Sequence, residues 1–362
     1  MAAADVSRET AGDAATPAPD VPSVEGLPDT ATQDAEQARF GPTLAPGPLA
    51  APMTAAEVAA DSSPTYADPT TPLASAAQQD VRGGRSGARP LPRPAETRVM
   101  VIANQKGGVG KTTTTVNIAA GLAQHGMRVL IIDLDPQGNA STALGIDHSA
   151  GTPGVYEVLS DGKPLGDVVC QSPDVPGLYG VPATIDLAGA EIELVSLVAR
   201  ESRLRKALDA HLASLEGDER FDYVFIDCPP SLGLLTINAL VAGREMLIPI
   251  QCEYYALEGV TQLLRNVEMV RAHLNPDLRV STIVLTMYDG RTRLAAGVAD
   301  EVRQHFGDIV LHTAIPRSVR ISEAPSYGQT VITYDPASSG ALSYLEAARE
   351  LATHNPQQTE EP

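Results

Sequence analysis

Lys106 and Lys111 stand in one glycine-rich stretch, Asn104-Gln105-Lys106-Gly107-Gly108-Val109-Gly110-Lys111-Thr112-Thr113. The chain has only four lysines, the others being Lys163 and Lys206, so half of them occupy this turn. Two cations held so close together call for a polyanion between them. The flanks agree: an apolar run, Val99 to Ala103, leads in, and a helix-like run, Thr114 to Gln124, leads out. Strand, glycine-rich turn and helix are the parts of a phosphate-binding loop. The glycines let successive N–H groups turn inward around an anion, and the positive end of the helix dipole points at the same place. Lys111 is placed to reach β- and γ-phosphates, and the Thr112 hydroxyl to ligate Mg²⁺. The strict pattern G-x-x-x-x-G-K-[ST] fails at one position, where Gln105 replaces the first glycine.

Two carboxylate sets belong beside such a loop. The apolar run Met127 to Ile132 reads as a buried parallel strand and ends in Asp133-Leu134-Asp135-Pro136-Gln137-Gly138-Asn139. Open α/β sheets bind ligands at the C-terminal ends of their strands. At i and i+2 the two aspartates point the same way, so one can brace the site while the other faces Mg²⁺ or an attacking water. A second strand, Phe221 to Ile226, ends in Asp227-Cys228-Pro229-Pro230. A hydrophobic strand ending in Asp next to a phosphate loop puts Asp227 where it holds Mg²⁺ or polarises its water shell. Cys170, Cys228 and Cys252 have no metal-ligand spacing, and Cys228 reads as a packed thiol.

The elements that position these groups alternate along the chain. Strands are expected at Leu178 to Val181, Glu245 to Ile250 and Arg279 to Met287. Helices are expected at Val155 to Leu159, Arg200 to Leu215, Glu258 to Leu274, Leu294 to Phe306 and Ser339 to Ala352. Such alternation implies an α/β fold of the P-loop NTPase type: a mostly parallel twisted sheet with helices on both faces. Residues 1–95 differ in composition. They are rich in Ala, Pro, Asp, Ser and Thr, contain no lysine, and have Phe40 and Tyr66 as their only aromatics. They are expected to form a long disordered arm, since they offer too little apolar surface to offset the entropy of ordering. A domain over 96–355 and a flexible acidic tail over 356–362 complete the division. The formal charge of −19 argues against indiscriminate nucleic-acid binding by the whole surface but not against a local basic face. The few cysteines suit a reducing cytoplasm, and no apolar run is long enough to span a membrane.

The run N-Q-K-G-G-V-G-K-T-T, with D-L-D-P-Q-G-N and D-C-P-P, resembles the deviant Walker-type P-loop ATPases of the ParA/MinD class. The likeness covers about residues 97–352 and is strongest to the chromosome-partitioning branch. It implies an ATP- and Mg²⁺-dependent ATPase in which Lys106, Gly107, Gly108, Val109, Gly110, Lys111, Thr112 and Thr113 hold the nucleotide. Asp135 matches the hydrolytic aspartate. Thr112, Asp135 and Asp227 stand around the metal, and Pro316 to Ser318 reach the adenine edge, with Ser318 where many relatives carry Asn. It further implies that Lys106 crosses a dimer interface to the partner's nucleotide, so that two ATPs are sandwiched in a homodimer whose facing loops pass closest at Gly107. Arg291 and Arg320 match arginines that contact non-specific double-stranded DNA, which implies a nucleoid-associated protein. Gln329 stands where relatives often have lysine. The implied partner that stimulates hydrolysis is a ParB-type centromere-binding protein. The alternatives are a MinD-like or orphan scaffold that positions another cargo. A MinD-like protein calls for a basic amphipathic C-terminal helix, whereas His354 to Pro362 is acidic and broken by proline.

Overall fold

The computed structural model describes residues 91–254 and 256–354. Of the expected arm over 1–95, residues 1–90 lie outside the described residues, as does the tail over 356–362. Seven strands form one sheet in the order β3-β4-β2-β5-β1-β6-β7. These are β1 (Arg98–Ile102), β2 (Val129–Asp133), β3 (Cys170–Gln171), β4 (Leu178–Val181), β5 (Tyr223–Asp227), β6 (Glu245–Gln251) and β7 (Arg279–Thr286). Every pairing is parallel except β3 with β4, where the chain returns antiparallel at the edge. The central strands β1, β2 and β5 are continuous apolar runs because both faces of the sheet are covered.

Two apolar cores flank the sheet. On one face lies α1 (Lys111–Gln124), packed between β1, β2, β5 and the closing helix α11 (Ser339–Thr353). Gly121 permits this contact, for a Cβ there would lie 2.8 Å from that of Ala348. The other face carries α3 (Val155–Ser160), α4 (Leu187–Leu194), α5 (Arg203–Ala213), α6 (Leu234–Ala242), α7 (Ala256–His273) and α8 (Arg293–Phe306). The single-turn helices α2 (Asn139–Ala143), α9 (Val319–Glu323) and α10 (Val331–Tyr334) lie in the connections. The expected strands and long helices are present to within a few residues. The helix expected from Arg200 begins with a 3₁₀ turn and becomes α-helical at Arg203.

The lead into β1 is anchored. Leu91 packs on the α1 core, Arg93 Nη2 donates to the Gly126 carbonyl (2.9 Å), and Arg220 donates to the carbonyls of Pro94 and Ala95 (both 2.9 Å).

Candidate nucleotide site

The phosphate loop joins β1 to α1 at the C-terminal edge of the sheet. Gly108 and Gly110 have φ of 74° and 88°, a left-handed conformation that side chains with a Cβ rarely adopt. Gly110 is also the N-cap of α1, and no side chain caps this helix or puts an acid in its first turn. The first amide N–H groups of α1 therefore have no intrahelical partner and face outward toward the loop. Neighbouring strands fix the loop. Asn104, itself buried, donates from Nδ2 to the Pro249 carbonyl on β6 (2.9 Å) and accepts the Lys106 N–H on Oδ1 (3.1 Å). The Thr286 hydroxyl, at the end of β7, donates to the Val109 carbonyl (2.8 Å).

A cavity of about 340 Å³ opens above this loop, a size suited to a small-molecule ligand. Gly107, Gly108, Gly110, Lys111, Thr112, Thr113 and Asp135 all line it. Lys111 is buried and forms no ion pair with a described residue. Val109 is buried behind the wall and contributes its carbonyl to the Thr286 clamp.

The carboxylates take distinct roles. Asp133 and Asp227 are register partners on adjacent strands and are both fully buried. Asp133 braces the loop after β2: its Oδ1 accepts the Asp135 N–H (3.1 Å), and its Oδ2 accepts the Ser141 N–H (2.9 Å) and hydroxyl (2.8 Å). Burial above all, with the charge of Asp135 adding, pushes its carboxyl up to about 6 against the pull of those hydrogen bonds. Asp227 accepts the Thr115 hydroxyl on Oδ1 (2.9 Å), while its Oδ2 is buried with no hydrogen-bond partner. Burial, then the neighbouring Asp133, pushes Asp227 up to about 7, while Thr112, Thr115 and Lys111 draw it down. An orphaned carboxylate oxygen beside a threonine hydroxyl and a lysine suits a hydrated divalent cation, whose charge would reverse the shift. Asp135, at the cavity wall, accepts the Gln137 N–H on Oδ1 (3.0 Å) and keeps Oδ2 clear of hydrogen bonds with described residues. Cys228 is wholly buried, which raises its thiol well above the ordinary range.

Lys106 points elsewhere. Its ammonium lies 2.7 Å from Glu253 Oε2, with both side chains close to half exposed. Glu253 also accepts from Gln251 and lies 3.9 Å from Arg317. Hydrogen bonding from Lys106 holds the Glu253 carboxyl below its usual range.

The structure does not bring Pro316 and Ser318 to the cavity wall. Pro316 forms an isolated bridge with Tyr288, which draws its backbone toward the sheet, and Ser318 sits at the N-cap position of α9 without a side-chain capping bond. The wall opposite the phosphate loop is made instead by Met287, Ala324, Pro325, Gln329 and Val331, with Asn117 from α1. Met287 has φ of 51°, which costs strain for a residue with a side chain and turns the chain sharply out of β7. Asn117 Oδ1 accepts the Val331 N–H (2.8 Å) and so fastens this wall to α1. Ala324, Pro325 and Val331 lacked a sequence signal because they sit in single turns with no periodicity. Arg291 and Arg320 are outside the cavity and exposed. Arg291 makes a two-pronged contact to Asp289 (2.9 and 3.0 Å), and Arg320 contacts Glu323 (3.0 Å) and Asp335 (3.4 Å).

Fold and site together are those of the P-loop nucleotide-binding class, in the variant with a second lysine at the head of the loop. A family model described as an AAA domain matches residues 97–280. The sporulation initiation inhibitor protein Soj of Bacillus subtilis is 52% identical over 257 residues, covering 71% of this chain and 99% of that protein. The chromosome partitioning protein ParA of Caulobacter vibrioides is 50% identical over 254 residues, covering 70% and 93%. Among solved structures, the cobyrinic acid a,c-diamide synthase of Mycobacterium smegmatis with bound ATP analogue and magnesium is 40% identical. It has a TM-score of 0.60 and covers 73% of this chain and 97% of that one. The chain belongs to the ParA/Soj family of chromosome-partitioning ATPases. Among the described residues no helix is long and apolar enough to cross a membrane.

Proposed function

We propose that this chain is an Mg²⁺-dependent ATPase that partitions chromosomal or plasmid DNA. The observation that carries the reading is the division of labour between two lysines of one loop. Lys111 is buried in the cavity wall near Asp227, and Lys106 is turned outward to the surface. A single nucleotide site uses the first. The second is free to serve a site completed by another chain.

In this reading the Gly107 to Gly110 backbone and the uncapped N-terminus of α1 cradle the phosphates, and Lys111 neutralises their charge. Thr112 and the orphaned oxygen of Asp227 would hold a hydrated Mg²⁺, which would supply Lewis-acid stabilisation of phosphoryl charge. Asp135 orients the attacking water with its unengaged carboxylate oxygen. Met287, Ala324, Pro325, Gln329 and Val331 offer a largely apolar wall for the base. Lys106 leaves Glu253 and reaches the nucleotide of a second copy, so the ATP-bound state is a sandwich dimer. The dimer doubles the number of arginines available to DNA phosphates, with Arg291 and Arg320 exchanging surface carboxylates for phosphates. A ParB-type protein accelerates hydrolysis and releases the dimer.

The deciding experiment measures ATP turnover alone, with random double-stranded DNA, and with DNA plus a ParB-type protein. Slow basal turnover raised by the complete mixture is the expected result. Turnover indifferent to both additions sinks the partition reading and favours a scaffold for another cargo. Size-exclusion chromatography with ATP adds the second check: wild type dimerises and Lys106→Ala binds ATP but stays monomeric.

A further inference from the structure

Lys163 and Lys206, the two lysines that the nucleotide loop does not use, line the same second cavity. It measures about 640 Å³ and lies between α3, the loop 162–167 and α5. Val158, Leu165, Leu204 and Leu208 beneath it belong to the core on the face of the sheet opposite α1. The two cavities therefore share no wall.

Its two lysines are left without a carboxylate partner among the described residues, whereas most of the described surface arginines have one. The chain has 45 acidic residues against 26 lysines and arginines, so exposed cations find carboxylates readily, and arginines do so across the surface. Neither Lys163 nor Lys206 forms an ion pair with any described residue. Arg203, the third cation, is committed to the wall: it donates to the carbonyls of Leu159 and Ser160 and ties α5 to the end of α3. Asp167 is the one carboxylate in the lining.

Two further features shape the wall. His211 lines the cavity, and its Nε2 is buried with no hydrogen-bond partner. Gly166 lets the loop close over that imidazole, since a Cβ there would lie 3.1 Å from Nδ1. Apart from Ser214 the remaining lining is apolar, chiefly Val158, Leu165, Ala207 and Ala210, and Val198 on the rim is 90% exposed. An apolar hollow with convergent polar groups is the usual form of a small-molecule site.

We propose that this cavity binds a small organic anion, its carboxylate or phosphate head between Lys163 and Lys206 and its apolar body against Val158, Leu165 and Val198. Lys163 is half buried, its stem lying along the cavity wall with the ammonium at the mouth. The site is separate from nucleotide chemistry and its test does not depend on that reading.

The scarcity of lysine makes a direct assay possible. The full-length protein is acylated with a limiting amine-reactive reagent, and the rate at each of the four lysines is read by peptide mass mapping. The probes are phenyl phosphate, benzoate and inorganic phosphate. With a dissociation constant of about 1 mM, a tenfold excess of ligand should slow acylation of Lys163 and Lys206 roughly tenfold. Lys106 should react at an unchanged rate. Protection by phenyl phosphate, benzoate or both supports the site and names its head group. Protection by inorganic phosphate as strong as by the aryl anions overturns the role of the apolar wall. Unchanged rates at Lys163 and Lys206 with every probe overturn the proposal. The double variant Lys163→Gln/Lys206→Gln gives an independent reading by equilibrium dialysis of the protecting probe. Affinity should fall at least tenfold with an unchanged melting temperature, and wild-type affinity in that variant would equally refute the site.

Discussion

The sheet carries buried carboxylates at both ends, and the two ends treat them oppositely. At the N-terminal ends of the strands, Glu245 opens β6 and is met by Arg98 through two hydrogen bonds, 2.9 and 2.7 Å, with Arg279 at 3.6 Å. Asp222, just before β5, accepts the Arg128 N–H (2.9 Å) and has Arg220 at 3.6 Å. At the C-terminal ends, Asp133 and Asp227 sit side by side with no arginine. The pKa shifts follow. Burial pushes Glu245 up, but hydrogen bonding and charge from Arg98 outweigh it, and the net shift is downward. Burial pushes Asp227 up and nothing offsets it fully. A carboxylate supplied with its own cation is structural. One whose neighbouring lysine offsets its burial only in part, as Lys111 does for Asp227, has room for a ligand's cation.

The largest effect should come from breaking the structural end. Arg98→Ala leaves Glu245 buried without its partner and should lower unfolding free energy by about 3–5 kcal/mol. Chemical denaturation measures it. A loss under ~1 kcal/mol would mean the base tolerates an unpaired charge as the site does, and the contrast would fail.

Next in size is the loss of chemistry without loss of fold. Asp135→Ala should reduce ATP turnover roughly 10²-fold or more, leave the melting temperature unchanged, and prolong the ATP-bound dimer. Wild-type turnover in this variant would remove Asp135 from the reaction.

A smaller effect of opposite sign is expected at Asp227. Its folded pKa is raised, so the stability tied to its protonated form is present below the ordinary carboxylate range and is lost as pH rises through about 7. The raised pKa of Asp133, about 6, acts in the same direction. Glu245 runs the other way: its contribution is present above the ordinary glutamate range and lost as pH falls below it. Asp227→Asn should therefore stabilise the metal-free protein at pH 8 by ~1–3 kcal/mol and have little effect near pH 4. The same variant should lose the thermal stabilisation that ATP with Mg²⁺ gives wild type. Melting curves across pH decide it, and destabilisation at pH 8 would show that the orphaned oxygen has a partner.

The smallest stability change belongs to the exposed pairs. Arg320→Glu should alter stability by less than ~0.5 kcal/mol yet abolish binding of the ATP-bound dimer to random DNA. Arg291→Glu should act the same way more weakly. Each lost phosphate contact removes roughly one unit of salt slope. Equal DNA affinity of Arg320→Glu and wild type would exclude this face.

The functional end was the legible one. Lys106 to Thr113, Asp135 and Asp227 lie in contiguous motifs at strand ends, where residue type and position together announce chemistry. The base cluster was not, because Arg98 and Glu245 are 147 residues apart and read singly as ordinary charges at strand starts. The opposite wall of the cavity failed for another reason. α9 and α10 are too short to show a period, and Ala324, Pro325 and Val331 are unremarkable in type. Pro316 to Ser318, the expected adenine contact, do not line the cavity, and the bridge from Pro316 to Tyr288 and the kink at Met287 that set this are tertiary features.

The pair between Lys106 and Glu253 sets a threshold. Side chains so exposed, 41% and 44%, gain about 0.2–1 kcal/mol from pairing. Energies of that size leave the lysine unparked roughly 15–40% of the time, exchanging faster than two chains can meet. Glu253 therefore acts as a weak decoy. A second chain arriving with a lone carboxylate offers Lys106 no better partner than the one at home, whereas a triphosphate outbids it by charge alone. In the proposed sandwich dimer, parking on a single carboxylate would hold Lys106 back from ordinary acidic surfaces without slowing its response to a polyphosphate.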